Sequence, residues 1–365
     1  MRILIITHAP LSSEFGAGQM ALNLGEALRK IGYEVTLWSP YPIFHQIKWW
    51  NSTRHMRLKL KDFLKTQQPF DMIDCPAIFV TQQVSKSTLV VVARSVQPDV
   101  LYLVSGIFHP VEKNIKTIFR TVANGLYFLF QVCWIFQGWK RAAYILCLGS
   151  LEFQWMVKQF PFWKNKIFSY VNAISEQDRE LLAKVRNNRQ RPRRGIRFLW
   201  IGRWVSHKGP DVLLNFIHQR AELCPHDTFT IAGCGMTAQK DCPEKLVRSG
   251  RLEIIPTFNR SELYSLLSSH DVGLFTSRVE GWSLSLVEML ESGMLVFATP
   301  VGPVPDLQPY FEETLKPFPP PWKISLSSIN YELYDNYCKI FSWDKIATDY
   351  IAKTGPLLVN DIRSD

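Results

Sequence analysis

The chain has no clear candidate for a helix that crosses a bilayer, because its nearly apolar stretch Val122–Phe136 has about 15 residues where about 20 are needed. Its seven cysteines include no CxxC pair, so the sequence indicates neither a disulfide framework nor a zinc site. Charged residues make up 20% and apolar residues 47%, which argues against disorder. The first apolar run, Ile3–Ile6, is too short for the core of a signal peptide. These features together favour a cytoplasmic location.

The formal net charge of +10 is unevenly distributed along the chain. Residues 1–180 contain 20 Lys and Arg against 12 Asp and Glu, whereas the remaining residues contain 22 against 20. This asymmetry indicates either an anionic partner for the first half or simply a basic surface that keeps the protein soluble.

Two segments of the first half favour a peripheral membrane contact. Lys48–Lys65 interleaves cations with tryptophan, a composition typical of membrane interfaces. Val122–Phe136 either forms a buried core helix or rests in the same interface. Nucleic acid is not expected as a partner, because no aromatic residues are interleaved with the basic segment Arg186–Arg197.

Short apolar runs separated by helical patterns recur in both halves of the chain. The beginning is predicted to form a strand at Arg2–Thr7, a helix at Gln19–Lys30 and a strand at Tyr33–Ser39, which is one βαβ unit of a doubly wound parallel sheet. Further strands are predicted at Asp71–Ile73, Leu89–Ala93, Tyr144–Leu148, Arg197–Ile201, Thr228–Ala232, Leu252–Ile255, Val272–Phe275 and Leu295–Ala298. For 365 residues, this pattern predicts two α/β domains.

The predicted domain boundaries follow from composition. From Arg186 to Arg197 the chain has six arginines and no acid, and such a segment cannot form a core. We therefore expect a first domain at 1–180, a basic linker at 181–196, a second domain at 197–340 and a C-terminal helix in 341–365. That helix is predicted over Ile340–Leu358, with apolar residues on one face.

The first chemical motif is GRWVSHKG, Gly202–Gly209. It follows the strand Arg197–Ile201 and precedes the helical run Asp211–Ile217, and the carboxyl end of such a strand is where α/β sheets bind ligands. Arg203 and Lys208 place two cations there, beside helix amides that also favour anions. A diphosphate is the anion that this arrangement favours. Two solvent-exposed cations with no ligand role would, however, give the same sequence pattern.

The second motif is EGWSLSLVEMLESG, which begins at Glu280. Gly281 allows close approach of the backbone to a ligand, and Ser283–Leu290 is predicted to be a helix whose N-terminus points into the same crevice. Glu280 in the loop and Glu288 on the helix could accept hydrogen bonds from two sets of sugar hydroxyls. The alternative is that both carboxylates only interact with the helix dipole and solvent. A third, weaker motif is the loop Ser12–Gly18, where Gly16 and Gly18 could hold a phosphate or form a plain turn.

Together these motifs resemble the retaining GT-B glycosyltransferases of family 4, the glycosyl transferases group 1. The resemblance extends over almost the whole chain, through GEALRKIGYEVTLWSP, RAAYILCLGSLEFQWMV, FLWIGRWVSHKGPDVLL, FTIAGCG, the E-x7-E element with ATPVGPVPDL, and FSWDKIATDYI. It implies two Rossmann-like doubly wound domains facing across a cleft, an acceptor domain first and a donor domain second, with the C-terminal helix crossing back to the first domain. It also implies a UDP- or GDP-sugar donor, a glycan or lipid-linked acceptor, and no metal or other cofactor.

The resemblance assigns roles by position. Arg203 and Lys208 match the residues that hold the donor diphosphate, Glu280 matches the glutamate at the donor sugar, and Glu288 matches the glutamate at the ribose. The remaining positions that match donor-binding residues of the family are Gly16, Gly202, Gly281, Trp282, Ser283 and Leu284. Among all of these, Arg203, Lys208 and Glu280 are the predicted catalytic residues.

Two departures from the family pattern are visible. Val96 occupies the position at the end of a first-domain strand where members commonly have a histidine, and neither His8 nor His109 aligns well as a substitute. Gly302-Pro303 replaces the usual double glycine. The loss of the histidine leaves open an alternative function, that of a catalytically degenerate protein acting as a binding or scaffold subunit in polysaccharide or glycolipid assembly.

Overall fold

The computed structural model describes residues 1–42, 52–98, 100–101, 115–189, 195–326 and 328–355, with the backbone alone for 115–126. The chain divides into two compact units. The described residues of Met1–Leu103, Glu112–Ala173 and Ile340–Asp365 form the first unit, and those of Ile174–Lys339 form the second.

Each unit is built on a parallel sheet of six strands. The strands, in chain order, are β1 (Arg2–Ile6), β2 (Glu34–Trp38), β3 (Phe70–Cys75), β4 (Thr88–Arg94), β5 (Tyr144–Leu148), β6 (Ile167–Tyr170), β7 (Arg197–Ile201), β8 (Thr228–Ala232), β9 (Leu252–Ile255), β10 (Val272–Phe275), β11 (Leu295–Ala298) and β12 (Leu315–Pro317). The order is β2-β1-β3-β4-β5-β6 in the first unit and β12-β11-β10-β7-β8-β9 in the second. Each order reverses once, which is the signature of a doubly wound sheet.

The sheets are covered by helices whose buried faces follow helical spacing. The helices, in chain order, are α1 (Gly16–Lys30), α2 (Ser52–Thr66), α3 (Gln82–Lys86), α4 (Ile115–Arg141), α5 (Gly149–Gln159), α6 (Glu176–Asn187), α7 (Pro210–Leu223), α8 (Glu244–Arg248), α9 (Arg260–Ser269), α10 (Leu284–Glu291), α11 (Val304–Leu307), α12 (Tyr331–Ile340) and α13 (Trp343–Thr354). Continuous apolar strands such as β5, all of whose residues are buried, form the centre of each core.

The predicted α/β class with two doubly wound sheets is confirmed. The six predicted strands from Tyr144–Leu148 to Leu295–Ala298 have the bounds that were expected. The sequence reasoning missed β6 and β12, which lie at sheet edges and have four and three residues. Such short strands give too little periodicity to be recognised.

The C-terminal segment differs from the single helix predicted over Ile340–Leu358. Helix α13 lies within the predicted range but begins only at Trp343, because the Ser342 side chain caps it by accepting from the Lys345 backbone N–H. Helix α12 ends at Ile340 and therefore precedes the predicted helix, and residues 356–358 lie outside the described residues. Helix α13 belongs to the first unit, where the Tyr350 hydroxyl donates to Asp74 and Lys353 Nζ donates to the Ser169 carbonyl, both at 2.7 Å.

The interpretation of 181–196 as a linker is wrong for its first part, because α6 extends to Asn187. Arg186 Nη1 donates to the Glu291 carbonyl at 2.6 Å, and Arg189 donates to the carbonyls of Leu267, His270 and Ser292. These carbonyls lie at the C-terminal ends of α9 and α10, where a helix favours cations. Arg186 and Arg189 therefore hold α6 and the residues after it against the ends of α9 and α10. Residues 190–194 of the predicted linker lie outside the described residues.

The apolar segment Val122–Phe136 forms part of α4, and the described chain contains no helix long and apolar enough to span a membrane. Ile135 is buried in the core, whereas Leu129, Phe130 and Phe136 are exposed. The segment is therefore neither wholly core nor wholly surface. Of the predicted basic segment Lys48–Lys65, residues 48–51 lie outside the described residues and the remainder lies in α2.

Candidate active site

The sheet of the second unit brings the two predicted ligand loops together. Strand β7 pairs with β10, while β8 continues the sheet on one side and β11 on the other. The order therefore reverses between β7 and β10, and the loops that follow these strands border the crevice where open α/β sheets bind ligands. These are the loops that contain Arg203, Lys208 and Glu280.

Backbone contacts fix the two loops against each other. Gly209 has φ +66°, and a Cβ there would lie 2.1 Å from the carbonyl oxygen of Thr276. The Thr276 hydroxyl donates to the Lys208 carbonyl at 2.9 Å and accepts from the Trp200 indole at 3.1 Å. Only glycine allows this approach, so Gly209, the last residue of the first motif, is needed for the two loops to pack against each other.

Lys208 and Glu280 form an ion pair across this junction. Lys208 Nζ contacts Glu280 Oε1, which also accepts from the Ser277 hydroxyl at 3.1 Å. The two side chains are 16% and 12% exposed, so the pair is well shielded but reachable from solvent. Arg203, the other predicted cation, is exposed. The site therefore presents one paired and one open cation beside a carboxylate.

A third loop, after β11, supports Glu280. Gly302 has φ +59°, and a Cβ there would lie 2.6 Å from Glu280 Cβ and 3.2 Å from the Gly281 carbonyl oxygen. The single glycine retained in Gly302-Pro303 is thus the one whose conformation and close approach demand glycine. The replacement of the second glycine by Pro303 is compatible with the local fold, because Pro303 has φ −80°.

The amides of Trp282, Ser283 and Leu284 lie at the start of α10, as predicted. Ser283 is the N-cap residue, but its side chain makes no capping bond, and no acidic residue lies in the first turn. Instead the Ser283 and Ser285 hydroxyls hydrogen-bond to each other at 3.0 Å. The first turn of this helix therefore offers amides and a positive dipole end to an anion.

Glu288 has a different partner from those of the Lys208–Glu280 pair. It is 3% exposed, and its Oε1 accepts from Arg260 Nη1 at the start of α9. Burial raises the pKa of the Glu288 carboxyl, and the charge of Arg260 opposes that rise. Arg260 in turn contacts Asp178 Oδ2 at 3.0 Å. The sequence reasoning missed Arg260 and Asp178, because neither belongs to a motif and only the fold brings them to Glu288.

His207 is a buried neighbour of the ion pair. Its backbone carbonyl accepts from the Arg278 backbone N–H at 2.7 Å, which is a further bond between the two loops. Burial lowers the pKa of the His207 imidazole to about 4, with Lys208 and Arg203 acting in the same direction and Glu280 opposing them. His207 is therefore neutral at neutral pH and adds no charge to the site.

Comparison with known proteins agrees with this geometry. Residues 183–308 match the family model of the glycosyl transferases group 1. The matched range includes strands β7 to β11 and both ligand loops. The chain contains a glycosyl transferases group 1 domain.

Two curated relatives match parts of the chain. One, 26% identical over 163 residues, is a subunit of the phosphatidylinositol N-acetylglucosaminyltransferase of Arabidopsis thaliana, with 42% of this chain and 36% of that protein covered. The other, 31% identical over 148 residues, is an uncharacterized 41.2 kDa protein in the cps region of Klebsiella pneumoniae, with 40% of this chain and 39% of that protein covered. The matches thus span well under half of either relative.

The fold is similar over nearly the whole length to a solved structure. The catalytic domain of starch synthase IV from Arabidopsis thaliana, bound to ADP and acarbose, gives a TM-score of 0.62 at 11% identity. The match covers 98% of this chain and 99% of that chain. The predicted GT-B fold is confirmed by this likeness, which at such low identity concerns the fold alone.

Every predicted site residue of the second unit lies within the glycosyl transferases group 1 domain. Gly16 instead lies in the first unit, as the exposed first residue of α1. In that loop the packing demands Gly18, where a Cβ would lie 2.1 Å from the Pro10 carbonyl oxygen. The ligand roles assigned to all of these residues stay predictions.

A buried ionic cluster in the first unit was not foreseen. Arg94 Nε donates to Asp74 Oδ1 at 2.7 Å at the carboxyl ends of β4 and β3, and the Tyr350 hydroxyl donates to Asp74 Oδ2. Both ionic side chains are fully buried. A charged residue at the end of each of two apolar strands was the signal available in the sequence.

Val96, where a histidine was expected from the resemblance, lies two residues after Arg94 and is half-buried. His109 lies outside the described residues.

The described residues contain no group of three or more His, Cys, Asp or Glu side chains arranged to hold a metal ion. The predicted independence from metals stays a prediction.

Proposed function

We propose that this protein is a retaining glycosyltransferase that moves a hexose from a nucleoside-diphosphate sugar to a hydroxyl group of a glycan or lipid-linked acceptor. The observation that supports it most is the meeting of the β7 and β10 loops, which places Lys208 against Glu280 beside the amides of α10. Cations and amides at a sheet switch point favour a diphosphate, and an adjacent carboxylate favours sugar hydroxyls. The glycosyl transferases group 1 domain supports the same interpretation.

In the proposed reaction the bond between the anomeric carbon and the diphosphate oxygen breaks, and the acceptor oxygen bonds to the same face of the sugar. The acceptor proton passes to the departing diphosphate. Lys208, Arg203 and the amides of Ser283 and Leu284 stabilise the negative charge that develops on the leaving group. Glu280 accepts hydrogen bonds from the sugar and orients it. No side-chain base is required in this scheme.

The donor is proposed to be a UDP- or GDP-sugar, used without a metal ion. The similar starch synthase fold was solved with ADP, so an adenine donor belongs in the same test. A thermal-shift panel of UDP, GDP, ADP and their hexose conjugates, each with and without EDTA, identifies the donor, because a ligand that binds the native state raises its stability. Loss of the shift on EDTA addition would contradict the metal-free proposal.

The test of the site uses Lys208→Ala and Glu280→Gln, with Lys345→Ala as the matched control. Lys345 forms an exposed ion pair with Asp349 on α13, so its loss removes a similar contact outside the site. We expect both site variants to fold and to lose donor turnover by at least about a hundredfold, while the control retains it. Turnover at the wild-type level in either purified site variant would overturn the assignment.

A second function is favoured by one observation, the presence of Val96 after β4 where similar proteins commonly have histidine. The protein would then be a degenerate binding or scaffold subunit in polysaccharide or glycolipid assembly. Absence of donor hydrolysis, together with absence of nucleotide binding in calorimetry, would favour this alternative over transfer.

We further propose that the protein contacts the cytoplasmic face of an anionic membrane through an aromatic ridge on the first unit. The ridge consists of Leu129, Phe130, Cys133, Phe136, Phe162 and Trp163. Phe162 is 68% exposed and Phe130 is 62% exposed. The Phe136 ring lies 5.0 Å from the Trp163 ring, centroid to centroid, so α4 and the segment Pro161–Lys166 form one surface.

The charge around the ridge complements an anionic surface. Over residues 127–175, whose side chains the structure describes, the sequence has five Lys and Arg and a single acid, Glu152. Glu152 is buried and accepts from the Ser95 hydroxyl and the Leu148 backbone N–H, both at 2.7 Å. Exposed aromatic side chains with cations and no exposed acid are typical of interfacial contacts.

Flotation with vesicles of anionic lipid at low salt tests the membrane contact. The double variant Phe130→Ser, Phe162→Ser should stay at the bottom, whereas the control Leu223→Ser, which removes a 65% exposed apolar side chain from the second unit, should float like the wild type. A wild-type protein that does not float at low salt would overturn the proposal.

A further inference from the structure

Helix α10 contains two buried carboxylates that are held very differently. Glu291 is fully buried, and both of its oxygens are occupied by Arg179 and by the hydroxyls of Tyr334 and Tyr337. Glu288 is 3% exposed, but only its Oε1 has a donor, the Nη1 of Arg260. Among the side chains that the structure describes, none donates to Glu288 Oε2. Oε2 is not fully buried, so a ligand hydroxyl or a water can reach it and supply the missing donor.

Arg260 is itself held in place by a second carboxylate. Its Nε donates to Asp178 Oδ1 at 3.4 Å, and its Nη2 lies in ion-pair contact 3.0 Å from Asp178 Oδ2 without a hydrogen bond. Asp178 is fixed in turn by the Tyr264 hydroxyl at 2.6 Å and the Ser175 hydroxyl at 2.7 Å. The guanidinium therefore bridges two carboxylates in a defined orientation, which suits its planar fork of donors.

We propose that Arg260 is a positioning residue for the donor nucleotide, holding Glu288 by Oε1 so that Oε2 accepts a hydrogen bond from a ribose hydroxyl. The inference rests on the proposed function and identifies the residue that makes one of its donor contacts effective. It applies to any nucleoside diphosphate, because the ribose is common to all of them.

The physical reason lies in the burial of Glu288. Removal from water favours the neutral acid and raises the pKa of the Glu288 carboxyl, and the Arg260 charge opposes that rise. Without Arg260 the carboxyl would gain a proton more readily and would be free to rotate. Both changes weaken it as an acceptor for a sugar hydroxyl.

Calorimetry with UDP and GDP and with their 2′-deoxy and 3′-deoxy forms tests this inference. In the wild type we expect the ribonucleotide to bind roughly tenfold or more tightly than one of the deoxy forms, as for a hydrogen bond to a charged group. In Arg260→Gln and in Glu288→Gln the ratio of ribonucleotide affinity to deoxynucleotide affinity should fall towards one. The affinity for that deoxy form should change little. Arg260→Lys should retain part of the ratio, because the charge remains while the fork is lost.

A pH series separates positioning from a purely structural role. In Arg260→Gln the ratio of ribonucleotide to deoxynucleotide affinity should recover as pH rises, because deprotonation restores the Glu288 carboxylate, and this recovery should lie at higher pH than any corresponding change in the wild type, where Arg260 lowers the pKa of that carboxyl. Arg197→Gln is the matched control. It breaks a buried-carboxylate pair with Asp271 at 2.7 Å, at the amino end of β7 and away from the crevice, and should keep the wild-type ratio.

The outcomes distinguish the inference from the function on which it rests. If no nucleoside diphosphate binds the wild type, the proposed function fails and the inference fails with it. If nucleotides bind but Arg260→Gln keeps the wild-type ratios for both deoxy forms, only the inference is overturned.

Discussion

Substitution of Gly302 by alanine tests whether the loop after β11 determines the position of Glu280. In the structure Gly302 has φ +59°, and an added Cβ would lie 2.6 Å from Glu280 Cβ and 3.2 Å from the Gly281 carbonyl oxygen. The nearest clash is with the root of the Glu280 side chain, which cannot rotate away as a flexible end could. Relief of the clash must therefore move the backbone of one loop or the other.

The size of the effect follows from these distances. Ordinary contact between carbon atoms needs about 3.5–4.0 Å, so Glu280 or Gly302 must move by about 1 Å. A misplacement of this size at a reacting centre costs about a hundredfold in rate. The left-handed conformation of an alanine adds roughly 1–2 kcal/mol of destabilisation.

Gly250→Ala is the control that separates the two contributions. Gly250 lies in the same unit with φ +71°, and no described atom outside its immediate neighbours lies within 4 Å of an added Cβ. Urea unfolding measures the free energy of unfolding of both variants, and donor turnover measures the site. We expect both variants to be destabilised but only Gly302→Ala to lose turnover. Equal turnover in the two variants would refute the idea that Gly302 positions Glu280.

Two further predictions concern buried charges. The pKa of His207 is about 4 in the folded state, below its ordinary value of 6.5, so the unfolded chain binds the proton first as pH falls. The neutral imidazole therefore favours folding above pH 6.5, and this contribution is lost as pH falls towards 4. The loss is about 3 kcal/mol at most, and it should be missing from the pH dependence of unfolding in His207→Asn; identical slopes would contradict the shift. Arg94→Met leaves the buried Asp74 with the Tyr350 hydroxyl as its one donor among the described side chains, and it should lower the free energy of unfolding by about 3–5 kcal/mol. Adding Asp74→Asn should restore part of the loss, and strictly additive losses would show that the pair is not coupled.

Much of the fold could be predicted because buried parallel strands leave a clear mark. Runs such as Arg197–Ile201 and Val272–Phe275 are apolar, of strand length and bounded by loop residues. The edge strand β12, Leu315–Pro317, has no such mark, because three residues ending in proline do not make a pattern. The arginine-rich segment was predicted to be a linker because its composition resembles that of a solvated segment. In the structure Arg189 instead hydrogen-bonds to carbonyls at a helix end.

The candidate site divides in the same way. The GR…KG and E-x7-E motifs are local, so the sequence shows Arg203, Lys208, Glu280 and Glu288 directly. The contact between Lys208 and Glu280 depends on β7 pairing with β10, which no local pattern expresses.

By itself the sequence determined the class of fold, most strand positions and the two ligand loops, because these follow from periodicity and from short motifs. Only the tertiary structure decided what each charged group faces. Glu280 meets Lys208, whereas Glu288, eight residues further on, meets Arg260 and through it Asp178. The reason is that a carboxylate's charge state and free oxygens depend on partners from distant parts of the chain, which are brought near only when the strands order themselves in the sheet.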